Sequence, residues 1–336
     1  MEDRKRIPEQ QQKMQKNGYI QMMRAVAIIA VVAIHNCPEG LDGVYIRPFV
    51  NFSVALFLFL SGYLTREEKI KDLSGFYKKR IVRVMVPYVT WSLIYTFVRG
   101  YSFDVFLEKF FTAQCCGVFY YLIVYVQLVI LTPLLYRISH TKYRNYVYLI
   151  TPIAILFIYL YVLGDNDLEY PYYIISFAEW VAYYYFGLAF HFQGKPLKCR
   201  RLIQTGKAHK WMLVGLYAAT LILQYAESLL WYYNGELAMA KTQVKISSLL
   251  SSFATILLVM YYKETVAVSQ TNMLVLIGDD SFAIYLSHML ILDLLNDYTH
   301  FNYVSGIILV ILLEVVLIYW LKRILPKKAV VMLGLE

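Results

Sequence analysis

Long apolar runs broken by short polar segments fill this chain, and the spacing of the breaks predicts membrane-spanning helices. A span needs roughly 20 mostly apolar residues. Windows of that kind fall at 19–37, 47–65, 84–99, 118–136, 146–163, 172–192, 211–231, 243–262, 273–293 and 304–325. The predicted fold is all-α: a polytopic membrane protein with a single bundle of about ten transmembrane helices over residues 19–325. The third window is short, and the ninth carries Asp279 and Asp280. Tails at 1–18 and 326–336 flank the bundle, and no internal repeat or soluble domain is visible. Tyr101–Phe111 alternates apolar and charged positions, the pattern of a short helix lying on a membrane surface.

Charge sets the orientation. With ten spans and the N-terminus in the cytoplasm, 26 of the 32 Lys and Arg residues fall in cytoplasmic segments and four in outer loops. That asymmetry is the positive-inside pattern. It places both termini in the cytoplasm and the protein in the cell inner membrane. The polar stretch Met1–Gly18 lacks the apolar core of a cleavable signal peptide.

Composition narrows the class further. Hydrophobic residues make up 59% and charged residues 16% of the chain, against about 25% charged in a soluble domain. The net charge of +9 follows the loops, so it reports topology, not nucleic-acid binding. The four cysteines form neither a disulfide framework nor a metal pattern. Cys37, Cys115 and Cys116 fall on one side, where a bridge is possible, but packing thiols are the simpler reading. No zinc-ligand spacing, Gly-rich phosphate loop or Gly-x-Ser-x-Gly elbow is present, so no metal is expected.

Ionisable groups within spans are expensive in lipid and mark candidate sites. Arg24 and His35 lie eleven residues apart in the first span, three turns plus about 20°, so they share a face and are separated by roughly 16 Å. Histidine suits proton abstraction from a hydroxyl at neutral pH, and Glu39, Asp42 or Glu227, toward the outer side, could orient it; the bland alternative is a helix-end His bonded to the next loop. Arg80 and Arg83, in the polar segment before the third span, share a helix face. Two guanidinium forks there could clamp phosphate or anchor the chain to anionic lipid. Ser281, Tyr285 and His288 form a polar stripe on the ninth span, which serves either catalysis or helix–helix hydrogen bonding. Glu179 and Glu314 lie in apolar runs and are expected to pair with buried Arg or Tyr. His140, His191, His209 and His300 read as surface residues.

In this order the pieces resemble the acyltransferase-3 family of bacterial membrane acyltransferases. Arg24 and His35 match its Arg, ten residues, His signature. Ala55–Leu64 is similar to its Phe-rich Ser-Gly segment, and Arg80 and Arg83 to its Arg-x-x-Arg. Phe119–Leu122 followed by Pro133 resembles its aromatic fourth-span motif, and Ser281–His288 its late Ser-x-x-x-Tyr-Leu-x-His. The likeness runs from about 19 to 325, without the fused extracytoplasmic hydrolase-like domain of some relatives.

The resemblance implies transfer of an acyl group, most often acetyl, from cytosolic acyl-CoA to a hydroxyl of a cell-envelope glycan or related small acceptor. It implies CoA phosphates at Arg80 and Arg83, with Arg24 lining the entrance. His35 would be a general base or be acylated itself. Ser281, Tyr285 or His288 would hydrogen-bond the thioester carbonyl. The alternative function is a multi-helix transporter or flippase for a polar envelope precursor, whose intramembrane Arg and His would line a substrate path.

Overall fold

Helix α1 (Gly18–His35) begins where the Asn17 side chain accepts a hydrogen bond from the Ile20 amide at 3.2 Å. An uninterrupted apolar run, Ala25–Ile34, carries it across, and Pro38 disfavours its continuation. In this computed structural model the described residues are 17–192, 207–263, 265–298 and 301–335. The expected tail over 1–16, the basic loop over 193–206 and His300 lie outside them. Among the described residues there is no strand, as an all-α membrane protein requires.

The expected second span is two helices, α2 (Gly40–Val50) and α3 (Ser53–Tyr63), joined at Asn51 and Phe52. After the short α4 (Glu67–Lys71) comes α5 (Leu73–Arg99), a helix of 27 residues. Here the structure corrects the sequence reading: Tyr77–Arg83 is not a loop before a short span but the first turns of a long one. Asp72 accepts from the Gly75 amide at 3.0 Å to start it, and Gly100 in the left-handed region ends it. Lys and Arg are good helix formers, so the polar turns continue the helix beyond the apolar stretch.

The surface segment is α6 (Phe103–Phe111), with Phe103 and Phe111 more than 70% exposed. Then follow α7 (Tyr120–Ser139) and α8 (Val147–Leu163). The sixth expected span, 172–192, is helical only in α9 (Val181–Phe192); Tyr172–Ile174 and Phe177–Glu179 are single tight turns. Ser176 accepts from the Ala178 amide, which starts the second of these turns. Helix α10 (Lys207–Tyr233) leads to the short α11 (Leu237–Lys241), which precedes the eighth window, and to α12 (Ile246–Lys263), which fills it.

The ninth window is broken. Helices α13 (Met273–Asp279) and α14 (Ser281–Tyr298) meet at Asp280 with an 82° bend. Asp280 pairs with Lys322 near the end of α15 (Tyr303–Ile324), which holds the corner. Among the described residues eight segments are long and apolar enough to span, nine with the bent pair, while Val181–Phe190 is shorter. Together they occupy the ten expected windows, and the protein is a multi-pass membrane protein. Residues beyond 325 form α16 (Lys327–Met332), which packs on α5: Trp91 Nε1 donates to the Leu333 carbonyl at 3.1 Å.

Two helix contacts are close enough to need glycine. A Cβ at Gly62 would fall 2.2 Å from the Tyr184 carbonyl oxygen, and one at Gly187 would fall 2.1 Å from that of Phe59, so α3 and α9 touch backbone to backbone. A Cβ at Gly278 would lie 1.8 Å from the Gln21 oxygen, which fixes α13 against α1. We predict that Gly187→Val destabilises the folded protein by about 3 kcal/mol or more, whereas Gly215→Ala, where the added methyl meets nothing within 4 Å, changes stability by less than about 1 kcal/mol. Thermal unfolding in detergent checks both; equal shifts would refute the close contact.

Candidate active site

Two cavities enter the bundle from opposite ends. The first lies at the end where α1 and α5 begin and has a volume of about 640 Å³. Arg24 reaches it from α1, Lys79, Arg80 and Arg83 from α5, and Ser281 and Tyr285 from the start of α14. Glu68 and Asp72 supply its two carboxylates, so four cationic side chains outnumber them. Arg80 donates to the Tyr125 hydroxyl at 3.4 Å and lies over the Phe76 ring, and Arg24 donates to Gln21 Oε1 at 3.2 Å. The extension of α5 past the apolar stretch is what brings Arg80 and Arg83 level with Arg24. We call this the basic end.

The second cavity, about 490 Å³, opens at the opposite end. His35, at the last turn of α1, lies on its wall with Arg47 of α2, Tyr120 of α7, Tyr170, Tyr173 and Lys241. Arg24 and His35 therefore serve different cavities, as their separation of about 16 Å along α1 requires.

Between the cavities stands an aromatic layer. The His35 and His288 rings are 5.4 Å apart by centroid, His288 and Tyr285 6.2 Å, and Tyr285 and Tyr121 5.3 Å. The stripe read on α14 thus divides: Ser281 and Tyr285 line the basic cavity, while His288 reaches His35. His288 Nδ1 lies 3.0 Å from the Ile284 carbonyl and 2.9 Å from that of Tyr285. Both partners only accept, so Nδ1 carries the proton and Nε2 bears the lone pair. That Nε2 is buried without a hydrogen-bond partner. It is a tautomer-locked basic nitrogen beside His35.

The structure reassigns several polar side chains. Tyr285 donates its hydroxyl proton to the Val118 carbonyl, so it has none left for a thioester oxygen, whereas the buried Ser281 Oγ has no partner. No carboxylate named for His35 serves it: Glu39 pairs with Lys241 at 3.0 Å, Asp42 is exposed, and Glu227 accepts from Tyr159 and the Ser247 amide. Glu314 accepts from Ser287 at 2.7 Å rather than from Arg or Tyr, and Glu179 Oε2 is buried without a partner. His140 bonds locally to Ser139, and the side chain of His191 lies outside the described residues. Cys37, Cys115 and Cys116 are free thiols, the latter two fully buried. Among the described residues no group of three His, Cys, Asp or Glu could hold a metal.

Sequence reasoning missed Arg47 and the tyrosines of the second cavity. Arg47 sits at the edge of an apolar window and reads as a loop charge, and single tyrosines carry no signal among 32.

Residues 17–323 match the family model described as an acyltransferase domain, of the acyltransferase-3 type. Among curated proteins, the chain is 24% identical over 269 residues to a "Probable poly-beta-1,6-N-acetyl-D-glucosamine export protein" of Staphylococcus aureus strain MRSA252, covering 76% of this chain and 73% of that protein. The protein of the same description in strain MSSA476 matches to the same extent. No solved structure matches the chain significantly.

Burial pushes the half-buried Cys37 thiol up, although Arg47 and Lys241 oppose this, so little thiolate exists at neutral pH. With Cys199 replaced by Ser, a membrane-impermeant maleimide added outside intact cells is expected to label Cys37 and not Cys115 or Cys116. The rate is expected to rise about tenfold from pH 7 to pH 8, because the thiolate is the reactive form. Labelling only from the cytoplasmic face would reverse the orientation.

Proposed function

The chain belongs to the acyltransferase-3 family, and on that premise we propose that it transfers an acyl group, acetyl in the simplest case, from cytosolic acyl-CoA to a hydroxyl of a cell-envelope glycan or related acceptor. The single observation that carries this reading is the pair of opposed cavities, one cationic and the other holding the His35 imidazole, separated by the ring layer of Tyr121, Tyr285 and His288. In this reading the protein lies in the cell inner membrane with the basic end facing the cytoplasm, which the positive-inside charge pattern of the loops supports.

In this reading Arg80 and Arg83 hold the CoA phosphates through charge-assisted hydrogen bonds, and Arg24 adds positive charge deeper in the cavity. The pantetheine arm runs along Tyr125 and Tyr121 toward the aromatic layer. His35 takes the proton from the acceptor hydroxyl as its oxygen bonds to the thioester carbon. The C–S bond breaks, and the CoA thiolate leaves with the proton returned from the imidazole. Ser281, whose hydroxyl has no protein partner, lies about 10 Å back along α14 from His288 on the wall of the basic cavity, where it donates to an amide oxygen of the pantetheine arm. His288 acts as a positioning residue: its proton is fixed on Nδ1, so its free Nε2 is the acceptor toward which the His35 N–H turns when the acceptor hydroxyl occupies the other ring nitrogen.

The description of the staphylococcal relatives as a probable polysaccharide export protein favours a second reading, export of a glycan through the bundle. That reading needs no acyl-CoA and gives Arg80 and Arg83 no special task.

The test is binding and turnover of radiolabelled acetyl-CoA by purified protein in detergent. Arg80→Ala and Arg83→Ala are each expected to weaken acetyl-CoA binding about tenfold or more, the loss of a charge-assisted bond. His35→Ala is expected to keep that binding and lower kcat about 100-fold or more. Acetyl found on His35 after a single turnover would convert the base into a nucleophile within the same function. Wild-type turnover by folded His35→Ala, or no acyl-CoA binding by wild type, would sink the proposal in favour of export.

A further inference from the structure

The cavity around His35 is built from groups that a glycan acceptor alone does not explain. Arg47 is its most unusual member. Nε donates to the Lys241 carbonyl at 2.8 Å and Nη1 to the Ile34 carbonyl at 3.2 Å. Those oxygens end α11 and α1, so the guanidinium caps the negative ends of two helix dipoles facing the cavity. The remaining N–H donors have no protein partner among the described residues. Glu39, the carboxylate on the cavity wall, is already paired with Lys241, and Asp293 at the same end is paired with Arg99.

Two further features of the wall point to an occupant. Gln243 Oε1 is buried without a hydrogen-bond partner, an acceptor that a ligand hydroxyl or amide N–H would satisfy. Tyr120, Tyr170, Tyr173 and Trp180 supply ring surface around these polar groups. Apolar walls with a few convergent polar groups are the makeup of a small-molecule site. A guanidinium held in such a wall without a counter-charge is poorly solvated, and an anionic ligand group offsets that loss where a neutral hydroxyl does so only in part.

We propose that this cavity is the acceptor site and that it selects a sugar unit carrying an anionic oxygen group, a carboxylate or phosphate, which Arg47 grips while the tyrosines stack on the ring. The inference rests on the acyltransferase reading for the word acceptor. It makes Arg47 a specificity-determining residue, and it disfavours an amino sugar carrying a free ammonium group.

The experiment is calorimetric titration of the purified full-length protein, without acyl-CoA and at fixed ionic strength, with three tetrasaccharides: tetragalacturonate, tetra-N-acetylchitotetraose and chitotetraose. Wild type is expected to bind the anionic sugar about tenfold tighter than the neutral one, and the cationic one most weakly. Galacturonic acid monomer against inorganic phosphate separates sugar recognition from simple anion binding: the monomer is expected to bind tighter. Arg47→Gln is expected to abolish the preference and Arg47→Lys, which keeps the charge, to retain part of it. Lys109→Gln, at the same end of the molecule but outside the cavity, should leave it unchanged. If Arg47→Gln does not fold, a preference reduced in Arg47→Lys together with weaker sugar binding by Gln243→Leu supports the proposal, and a preference undiminished in Arg47→Lys overturns it. Equal affinity for the three sugars, a preference that survives Arg47→Gln, tighter binding of phosphate than of the monomer, or no binding of tetragalacturonate would overturn the proposal. Acetyl-CoA binding is measured on the same preparation. Donor binding without sugar preference sinks this inference alone, and sugar preference without donor binding sinks the acyltransferase reading alone.

Discussion

The contact between His35 and His288 is the point on which the arrangement depends. It joins the end of α1 to the middle of α14, and it exists only because the chain breaks at Asp280. Without the 82° bend, a helix running on from α13 could not present Ser281, Tyr285 and His288 along α1. Two local devices hold the corner. Gly278 lets α13 lie against the backbone of α1 near Gln21, and Lys322 ties Asp280 to the end of α15. The carboxylates that make the ninth window a poor hydrophobic span are therefore part of what builds the site. Asp280 is paired with Lys322, and a paired carboxylate is tolerated in a membrane protein.

The same economy of charge runs through the bundle. Lys245 is fully buried, and its ammonium donates to Ser228 and to the Ala240 carbonyl. Glu314 is fully buried and is held by Ser287, the residue before His288. Such groups persist in a membrane protein only when partners surround them, and here the partners are mostly hydroxyls and helix-end carbonyls instead of opposite charges. Arg47 follows the same pattern at two helix C-termini, but with donors to spare.

Much of this was legible in the sequence. The apolar windows located every spanning segment, because lipid imposes a length and composition that short loops cannot imitate. The interval between Arg24 and His35 gave their separation along one helix, and the structure places them in different cavities accordingly. What was hidden depended on tertiary contacts. Tyr77–Arg83 reads as a loop by hydropathy, yet Asp72 starts a helix there and carries it up to the apolar stretch. Ser281, Tyr285 and His288 look equivalent as a stripe, but Tyr285 is committed to Val118, Ser281 is free, and His288 faces His35. The acid expected beside His35 is replaced by another histidine, 253 positions away in the chain. Neither spacing nor composition reports a pairing of that kind.

The aromatic layer bears on the choice between acyl transfer and export. A polymer crossing the bundle needs a continuous wide path, and here Tyr121, Tyr285 and the two histidines pack between the cavities, with Tyr285 tied to the backbone at Val118. Opening that path means breaking a buried hydrogen bond and displacing rings packed from α1, α7 and α14 together. An acyl group is far smaller. Delivered on a thin pantetheine arm, it needs only to reach the layer from one side while a hydroxyl reaches it from the other. A barrier of a few packed rings, with His35 on its far side, suits a reaction in which the acyl group passes and both carriers stay on their own sides.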